Sequence, residues 1–205
     1  MKNILNILVV TLFLVSCSST GKKLPIFGHP TVTGNDTVYS TIKPFAFLSQ
    51  DSAIITEKTF DNKIYIADFI FLSCPSICPI MTTEMKKVYD VYRANPNIIF
   101  LSHTIDPEND TIPRLKAYAE NLGVDGNKWF FVTGTKDSIY SIAEKSYFAT
   151  AYADETAPGG YVHNGGLLLV DKNKHIRGIY DGTNPMETER LITDMKILLK
   201  EQFPE

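Results

Sequence analysis

The chain of 205 residues has only three cysteines, no excess of basic residues, and no internal repeat or low-complexity tract. Its 23 aspartates and glutamates outnumber its 20 lysines and arginines, which gives a formal net charge of −3. A basic surface of the kind that binds nucleic acid is therefore not expected, and we predict no nucleic-acid partner. After residue 16, no apolar run approaches the roughly 20 residues that a membrane-spanning helix needs.

The first residues have the pattern of an export signal. Lys2 precedes an apolar run from Ile4 to Val15, and Ser16 and Cys17 follow it. This run of about twelve residues is too short to span a bilayer as a helix. The segment resembles a bacterial lipoprotein signal, in which the cysteine is lipidated and becomes the mature N-terminus. An ordinary secretory signal with an incidental cysteine is the alternative.

These features predict three parts of the chain. We expect a signal peptide over residues 1–16, the lipidated Cys17 with a short polar linker over residues 17–23, and a single domain over residues 24–205. The roughly 190 residues left after the signal fit one domain better than two. The expected location is the bacterial cell envelope, with a soluble, periplasmic domain anchored to the membrane by lipid.

Strand and helix patterns alternate along the domain and predict an α/β fold, a central sheet flanked by helices. Apolar runs predict strands at 63–72, 97–105, 128–133, 167–170 and 175–180. Helical patterns lie at 79–93, 113–121, 136–146 and 187–202. The polar turn at 171–174 predicts a hairpin between the last two strands. Residues 45–48 and 53–56 predict an extra N-terminal hairpin.

Cys74 and Cys78 are the only thiols besides Cys17, and both precede a proline in the run Ser-Cys-Pro-Ser-Ile-Cys-Pro. Because proline disfavours a helical conformation in the residue before it, we expect a helix to begin at Pro79 with Cys78 at or beside its N-cap. The positive helix end would then lower the pKa of Cys78. In an oxidising compartment such a pair is structural, redox-active or metal-binding.

Three interpretations of the thiol pair compete with metal binding. A structural disulfide between Cys74 and Cys78 would close a small loop, which gives little entropic stabilisation. A thioredoxin-type redox pair more usually has two intervening residues rather than three. A peroxidase needs groups that activate its cysteine, and the cysteine loop has no lysine or arginine closer than Lys86.

A glycine-rich segment, residues 159–166, places His163 just before a predicted strand. Loops at strand ends are where functional sites of α/β sheets collect. Two thiolates suit Cu(I), an added imidazole also accommodates Cu(II), and zinc can take the same three ligands. Composition alone does not select His163 among the four histidines.

Three ordered motifs resemble those of the Sco/SenC family of thioredoxin-fold copper proteins. They are Cys74-Pro-Ser-Ile-Cys78-Pro, Asp106-Pro-Glu-Asn-Asp110-Thr, and His163 ahead of Leu-Leu-Val-Asp. The resemblance spans about residues 44–200 and implies a thioredoxin-like fold with an N-terminal β extension. It also implies that both cysteines and His163 bind one copper ion, as Cu(I) or Cu(II).

The resemblance further implies a role. The chain would be a metallochaperone rather than an enzyme, and it would assist assembly of the dinuclear copper centre of cytochrome c oxidase or serve another cuproprotein. The alternative is a thiol-disulfide oxidoreductase that keeps the copper-ligand cysteines of its client reduced. Cys74 and Cys78 would then be catalytic and would form a disulfide in the oxidised protein.

The aspartates of the second motif have two interpretations. By resemblance, Asp106 and Asp110 match the family's acidic pair, which implies that they position the metal or a partner. From the residues themselves, Asp106 could instead cap a turn before Pro107, and Asp110 or Thr111 could cap the following helix.

Some positions depart from the family pattern or have no assigned chemistry. Ser76 stands where an acidic residue is usual and Val162 where an aspartate is common, which is expected to change partner docking or hydrogen bonding to the imidazole of His163. His103 is interpreted as a structural or surface residue. Tyr161 is a candidate for the wall of the copper pocket.

Overall fold

The computed structural model describes residues 23–34, 36–154 and 156–204. The predicted signal over residues 1–16, Cys17 and most of the predicted linker lie outside the described residues. No helix within these ranges is both long enough and apolar enough to cross a membrane.

The described residues form eleven strands, four α-helices and two short 3-10 helices in an alternating order. The strands are β1 (Thr31–Thr33), β2 (Asp36–Val38), β3 (Ala46–Ser49), β4 (Ile54–Thr56), β5 (Ile64–Ile70), β6 (Ile98–Thr104), β7 (Trp129–Thr133), β8 (Ala151–Ala153), β9 (Tyr161–His163), β10 (Gly166–Val170) and β11 (Ile176–Asp181). The helices are α1 (Ile77–Tyr92), α2 (Ile112–Leu122), α3 (Lys136–Lys145) and α4 (Pro185–Gln202), with 3-10 turns at Glu57–Phe60 and Pro158–Gly160.

Seven strands form one mixed sheet in the order β11-β10-β5-β6-β7-β3-β4. The three central strands β5, β6 and β7 are parallel, while β10 and β3 pair antiparallel to them on either side. All residues of β5 and β6 are buried, as expected of strands covered on both faces. The predicted central mixed sheet flanked by helices is therefore confirmed.

The two predicted hairpins are also confirmed. β10 and β11 pair antiparallel, and Asp171 and His175 close the turn between them through a 3.0 Å backbone hydrogen bond. β3 and β4 form the N-terminal hairpin, which extends the sheet beyond β7. The extra β segment before the first long strand therefore lengthens the sheet instead of forming a separate unit.

The parallel pairing of β5 and β6 brings two sequence motifs together. Ile70, the last residue of β5, lies opposite Thr104, the last residue of β6. The cysteine loop follows β5 and the acidic loop, residues 106–110, follows β6. Because parallel strands end at the same edge of a sheet, both loops lie side by side.

Helix α1 begins earlier than predicted. Its first residue is Ile77 and its N-cap is Ser76, so Pro79 lies at the third helical position. The expected start at Pro79 is wrong because the first four amides of a helix have no intrahelical acceptor, and a proline among them costs no hydrogen bond. Cys78 consequently lies inside the first turn.

Helix α2 has the predicted C-terminal stop but lacks the predicted cap at its start. Gly123 has a φ of 63° and its amide bonds the carbonyls of Ala119 and Glu120. Thr111 is the N-cap residue, yet its side chain makes no capping hydrogen bond. The carboxylate of Asp110 accepts hydrogen bonds from Leu72 and Thr104 instead of from the start of α2. The prediction that Asp110 or Thr111 caps this helix through its side chain is therefore wrong.

Candidate metal centre

The structure brings together the three predicted ligands, Cys74, Cys78 and His163. One donor atom from each residue lies within 4.8 Å of the others. Cys78 Sγ and His163 Nε2 lie 3.3 Å apart. Both cysteines are free thiols. All three residues are buried, with exposed fractions of 8% for Cys74, 4% for Cys78 and 9% for His163. The site is thus a shallow, largely desolvated group of two sulfurs and one imidazole.

The cysteine loop is held in a tight turn between β5 and α1. The Cys74 amide donates to the Phe71 carbonyl at 3.2 Å, which folds the chain back directly after the strand. The Cys78 amide, one of the free amides at the start of α1, donates to Cys74 Sγ at 3.4 Å. Cys74 sulfur therefore accepts a hydrogen bond from the positive end of the helix.

This arrangement lowers the pKa of Cys74 and not, as predicted, the pKa of Cys78. Burial opposes ionisation of Cys74, but hydrogen bonds from Cys78 and Ser76 outweigh it and hold the pKa of Cys74 below its ordinary value. Burial raises the pKa of Cys78 well above its usual range. The prediction of a lowered pKa for Cys78 is wrong, because the helix amide points at the sulfur of Cys74 and leaves Cys78 buried without comparable help.

His163 is the last residue of β9, a strand that the sequence did not predict. β9 pairs with β8 in a two-stranded sheet separate from the main one. Burial lowers the pKa of His163 to about 4. The imidazole is consequently neutral near pH 7, the form in which it binds a metal.

The second ring nitrogen of His163 has an unusual environment. Nδ1 is buried and has no hydrogen-bond partner. The preceding residue, Val162, offers no polar side chain, and the ring packs edge-on against Phe71 at 5.8 Å between centroids. Packing, rather than a hydrogen bond to Nδ1, therefore orients the imidazole.

Asp110 lies beside the cysteine loop. Its Oδ2 accepts hydrogen bonds from the Leu72 amide at 3.0 Å and from the Thr104 hydroxyl at 2.6 Å. Burial raises the pKa of Asp110 above its ordinary value. The carboxylate thus holds the chain just before the cysteines. Among the described residues, Asp110 makes no hydrogen bond to Cys74, Cys78 or His163.

Asp106 lies beside the histidine strand. The Tyr161 hydroxyl donates a hydrogen bond to Asp106 Oδ1 at 2.7 Å. The side-chain amide of Asn109 donates to both carboxylate oxygens of Asp106 at 3.0 Å. Tyr161 also packs on Phe71, with 5.2 Å between ring centroids. Asp106 does form the predicted turn, but through its backbone carbonyl, which accepts from the Asn109 and Asp110 amides.

Two further polar residues near the site were missed by sequence reasoning. Asp68, within β5, is 1% exposed, its Oδ1 has no hydrogen-bond partner, and burial raises its pKa to about 7. The signal for it was a lone acidic residue in an apolar strand. Arg114 of α2 donates to the Ser73 hydroxyl at 3.4 Å, so a cation does reach the cysteine loop from elsewhere in the chain.

His103 lies apart from the metal centre, in the aromatic core. Its ring is fully buried, stacks on Phe69 at 4.8 Å, and packs edge-on against Phe47 and Tyr147. Burial lowers the pKa of His103 to about 3. The structural interpretation of His103 is confirmed.

The donor set fits a soft or borderline metal ion. Metal–sulfur and metal–nitrogen bonds are about 2.3 and 2.0 Å long, so one ion can bridge a sulfur and a nitrogen up to about 4.3 Å apart and two sulfurs up to about 4.6 Å apart. The observed limit of 4.8 Å requires only small side-chain movements. Thiolate ligands favour Cu(I), and the imidazole extends the set to Cu(II) or zinc.

Fold and site together define a class of protein, an α/β domain with a two-thiol, one-imidazole metal centre beside the ends of its parallel strands. A model of the SCO1/SenC family matches residues 34–200. Since this match covers most of the chain, the chain belongs to the SCO1/SenC family.

Individual relatives agree with this assignment. The SCO1 protein homolog of Bacillus subtilis (strain 168) is 28% identical over 198 residues, covering 96% of this chain and 97% of that protein. The crystal structure of a SCO1/SenC family lipoprotein from Bacillus anthracis str. Ames has a TM-score of 0.71 at 27% identity, covering 78% of this chain and 95% of that one.

A second solved structure is similar to the same extent. BsSco, a member of the Sco family of cytochrome c oxidase assembly proteins in which a disulfide switch was identified, has a TM-score of 0.70 at 28% identity. The similarity covers 81% of this chain and 95% of that one. The thioredoxin-like fold implied by the sequence motifs is confirmed.

Proposed function

We propose that this chain is a copper-binding metallochaperone that holds one copper ion through Cys74, Cys78 and His163 and passes it to a cuproprotein by ligand exchange. The observation that carries the proposal is the convergence of two sulfurs and one imidazole nitrogen within 4.8 Å. Copper is favoured over harder ions because thiolates are soft ligands. Ligand exchange needs no catalytic turnover.

The protonation states of the free site suit metal capture. Cys74 loses its proton readily because the amide of Cys78 stabilises its thiolate. His163 is already neutral near pH 7. Cys78 retains its proton until a metal replaces it, so binding should release protons and strengthen as the pH rises.

We propose the copper-bearing subunit of cytochrome c oxidase, or another cuproprotein, as the client. Family membership supports this class of client. A lipid anchor at Cys17 on the bacterial envelope is proposed from the sequence pattern of residues 1–17. Metabolic labelling with a fatty acid, compared between the parent chain and Cys17→Ser, tests the anchor.

An anaerobic copper titration of the reduced protein tests the proposed function. We expect one tightly bound copper ion, lost when Cys74→Ser or Cys78→Ser removes a sulfur. His163→Ala should weaken Cu(II) binding by at least tenfold and Cu(I) binding much less, because two thiolates suffice for Cu(I). His29→Ala is the control, because His29 is exposed. His103→Ala is less suitable, because His103 is buried in the core and its removal would leave a cavity. Absence of stoichiometric binding would refute the metallochaperone.

A thiol-disulfide oxidoreductase is the second candidate, and the difference between the two thiol pKa values favours it specifically. Cys74 thiolate would attack a client disulfide, forming a mixed disulfide and releasing one client thiolate. Cys78 would then displace the second client thiol from Cys74. The pair ends as a disulfide and the client as two thiols. His163→Ala should leave this exchange rate nearly unchanged.

A further inference from the structure

The histidine ligand and the cysteine ligands belong to different structural units. Cys74 and Cys78 stand between β5 and α1, which belong to the main sheet and its covering helices. His163 stands on β9, whose strand partner is β8 in a separate two-stranded sheet. A functional metal centre therefore needs contacts that hold the β8–β9 hairpin in place against the cysteine loop.

The acidic loop, residues 106–110, makes a hydrogen bond to each of these units. At one end, Asp110 Oδ2 accepts from the Leu72 amide at 3.0 Å, two residues before Cys74. At the other end, Asp106 Oδ1 accepts from the Tyr161 hydroxyl at 2.7 Å, two residues before His163. Both carboxylates are buried, with 3% exposure for Asp106 and none for Asp110.

The geometry of the acidic loop is itself fixed. Asn109 donates to both oxygens of Asp106 at 3.0 Å, which orients that carboxylate towards Tyr161. The amide of Asp110 donates to the Asp106 carbonyl at 2.8 Å, which sets the distance between the two aspartates. The loop thus connects the two ligand-bearing segments through short, buried bonds, and hydrogen bonds to a carboxylate are among the stronger ones in proteins.

We infer that the acidic loop is a clamp that sets the position of His163 relative to the two cysteines, with Asp106 acting on the histidine strand through Tyr161. The inference rests on the proposed copper function and assigns Tyr161 and Asp106 as positioning residues. Neither needs to touch the metal. Because Nδ1 of His163 has no partner, the position of the imidazole depends on packing against Phe71 and on where its strand lies, and the clamp sets the position of that strand.

The phenol-to-phenyl change Tyr161→Phe tests the clamp, because it removes only the hydroxyl that bonds Asp106. We expect Cu(II) affinity, measured by anaerobic competition with a chelator, to fall roughly tenfold, the lower end of losses seen when groups that orient metal ligands are removed. Cu(I) affinity should change less than twofold. Tyr92→Phe is the control, since the Tyr92 hydroxyl donates to the Ile192 carbonyl at 2.9 Å, away from the acidic loop.

A double-mutant cycle separates positioning from general destabilisation. If Tyr161 acts through His163, then adding Tyr161→Phe to His163→Ala should cause no further loss of Cu(II) affinity. A tenfold loss in both backgrounds would overturn the clamp, as would an unchanged affinity for Tyr161→Phe alone. Asp106→Asn retains an acceptor oxygen for the tyrosine and should lose less affinity than Asp106→Ala.

A measurement without metal separates failure of the clamp from failure of the copper function. In the reduced, metal-free protein, amide hydrogen exchange at residues 161–163 should accelerate in Tyr161→Phe and not in Tyr92→Phe. If the parent protein binds no copper, the proposed function fails while this comparison still decides the clamp. Unchanged exchange at residues 161–163 in Tyr161→Phe would overturn it.

Discussion

The thiols of Cys74 and Cys78 differ because, although both residues are buried, the Cys74 sulfur accepts a hydrogen bond from an amide at the start of α1. We expect Cys74 to react with iodoacetamide faster than Cys78 near pH 7, since the thiolate is the reactive form. In the reduced, metal-free protein, the rate for Cys78→Ser, which leaves only Cys74 in the site and keeps the amide at position 78, should reach half-maximum at a lower pH than the rate for an unperturbed free thiol.

The complementary variant supplies the control for this prediction. In Cys74→Ser, the remaining Cys78 should need a higher pH than a free thiol, because burial raises its pKa. The order of the two midpoints is the decisive result. A lower midpoint for Cys78 than for Cys74 would contradict the hydrogen-bond geometry of the loop.

At the residue scale, the sequence predicted which side chains form the site but not how each one behaves. The motifs identified Cys74, Cys78 and His163, and the structure brings them together. The thiol pKa values could not be predicted because they depend on the path of a four-residue turn. The local preference of a residue before proline, which placed Cys78 at the cap, was outweighed by the helix starting at Ile77.

At the element scale, the β8–β9 hairpin carries a ligand and was not predicted. Each strand has three residues, and Ala151–Ala153 is too short and too weakly apolar for a strand pattern to stand out. By contrast, the long strands and amphipathic helices of the main sheet were predicted close to their observed ends. What positions the hairpin is tertiary contact with the acidic loop and with the cysteine loop, which a local pattern does not contain.

Gly159, in the turn between β8 and β9, lies close to the cysteine loop. A Cβ at Gly159 would lie 2.7 Å from the Phe71 ring and 3.1 Å from Pro75 Cδ. Gly159→Ala should therefore push the hairpin away from the cysteines and weaken Cu(II) binding severalfold. A comparison of Cu(II) affinity with the melting temperature of the same variant checks this expectation.

The neighbouring Gly160 provides a matched control for Gly159→Ala. Gly160 also has a positive φ, 84° against 79° for Gly159, but nothing lies within 4 Å of its added Cβ. Both substitutions impose a backbone strain of about 1–2 kcal/mol. Only Gly159→Ala should then lower metal affinity, and equal losses in the two variants would mean that strain, not displacement of the hairpin, is responsible.

At the scale of the whole molecule, the two ends of the described chain meet at Arg177. This buried guanidinium of β11 bonds Asp171 Oδ2 at 2.9 Å, Glu201 Oε1 of α4 at 2.9 Å, and the carbonyls of Leu24 and Pro25. The bonds to Leu24 and Pro25 join positions more than 150 residues apart, so no sequence pattern indicates them. Together, the bonds of Arg177 fix the N-terminal segment and the last helix to the edge of the sheet.

Arg177→Ala should destabilise the fold by about 3–5 kcal/mol, because it leaves the buried carboxylate of Asp171 without its cation. Urea unfolding of the metal-free protein measures this loss. Lys86→Ala is the control, since Lys86 and Asp90 form an exposed helical pair that contributes less than about 1 kcal/mol. Similar losses for both variants would contradict a structural role for the arginine.

Arg177→Lys distinguishes charge from geometry at this junction. Lysine keeps the positive charge beside Asp171, but it cannot reproduce the planar set of donors that reaches two carboxylates and two carbonyls at once. We expect it to recover only part of the stability lost in Arg177→Ala, with copper affinity of the folded protein unchanged in both variants. Full recovery by lysine would show that charge alone holds the two ends together, whereas the four separate acceptors around the guanidinium indicate that its shape matters as much.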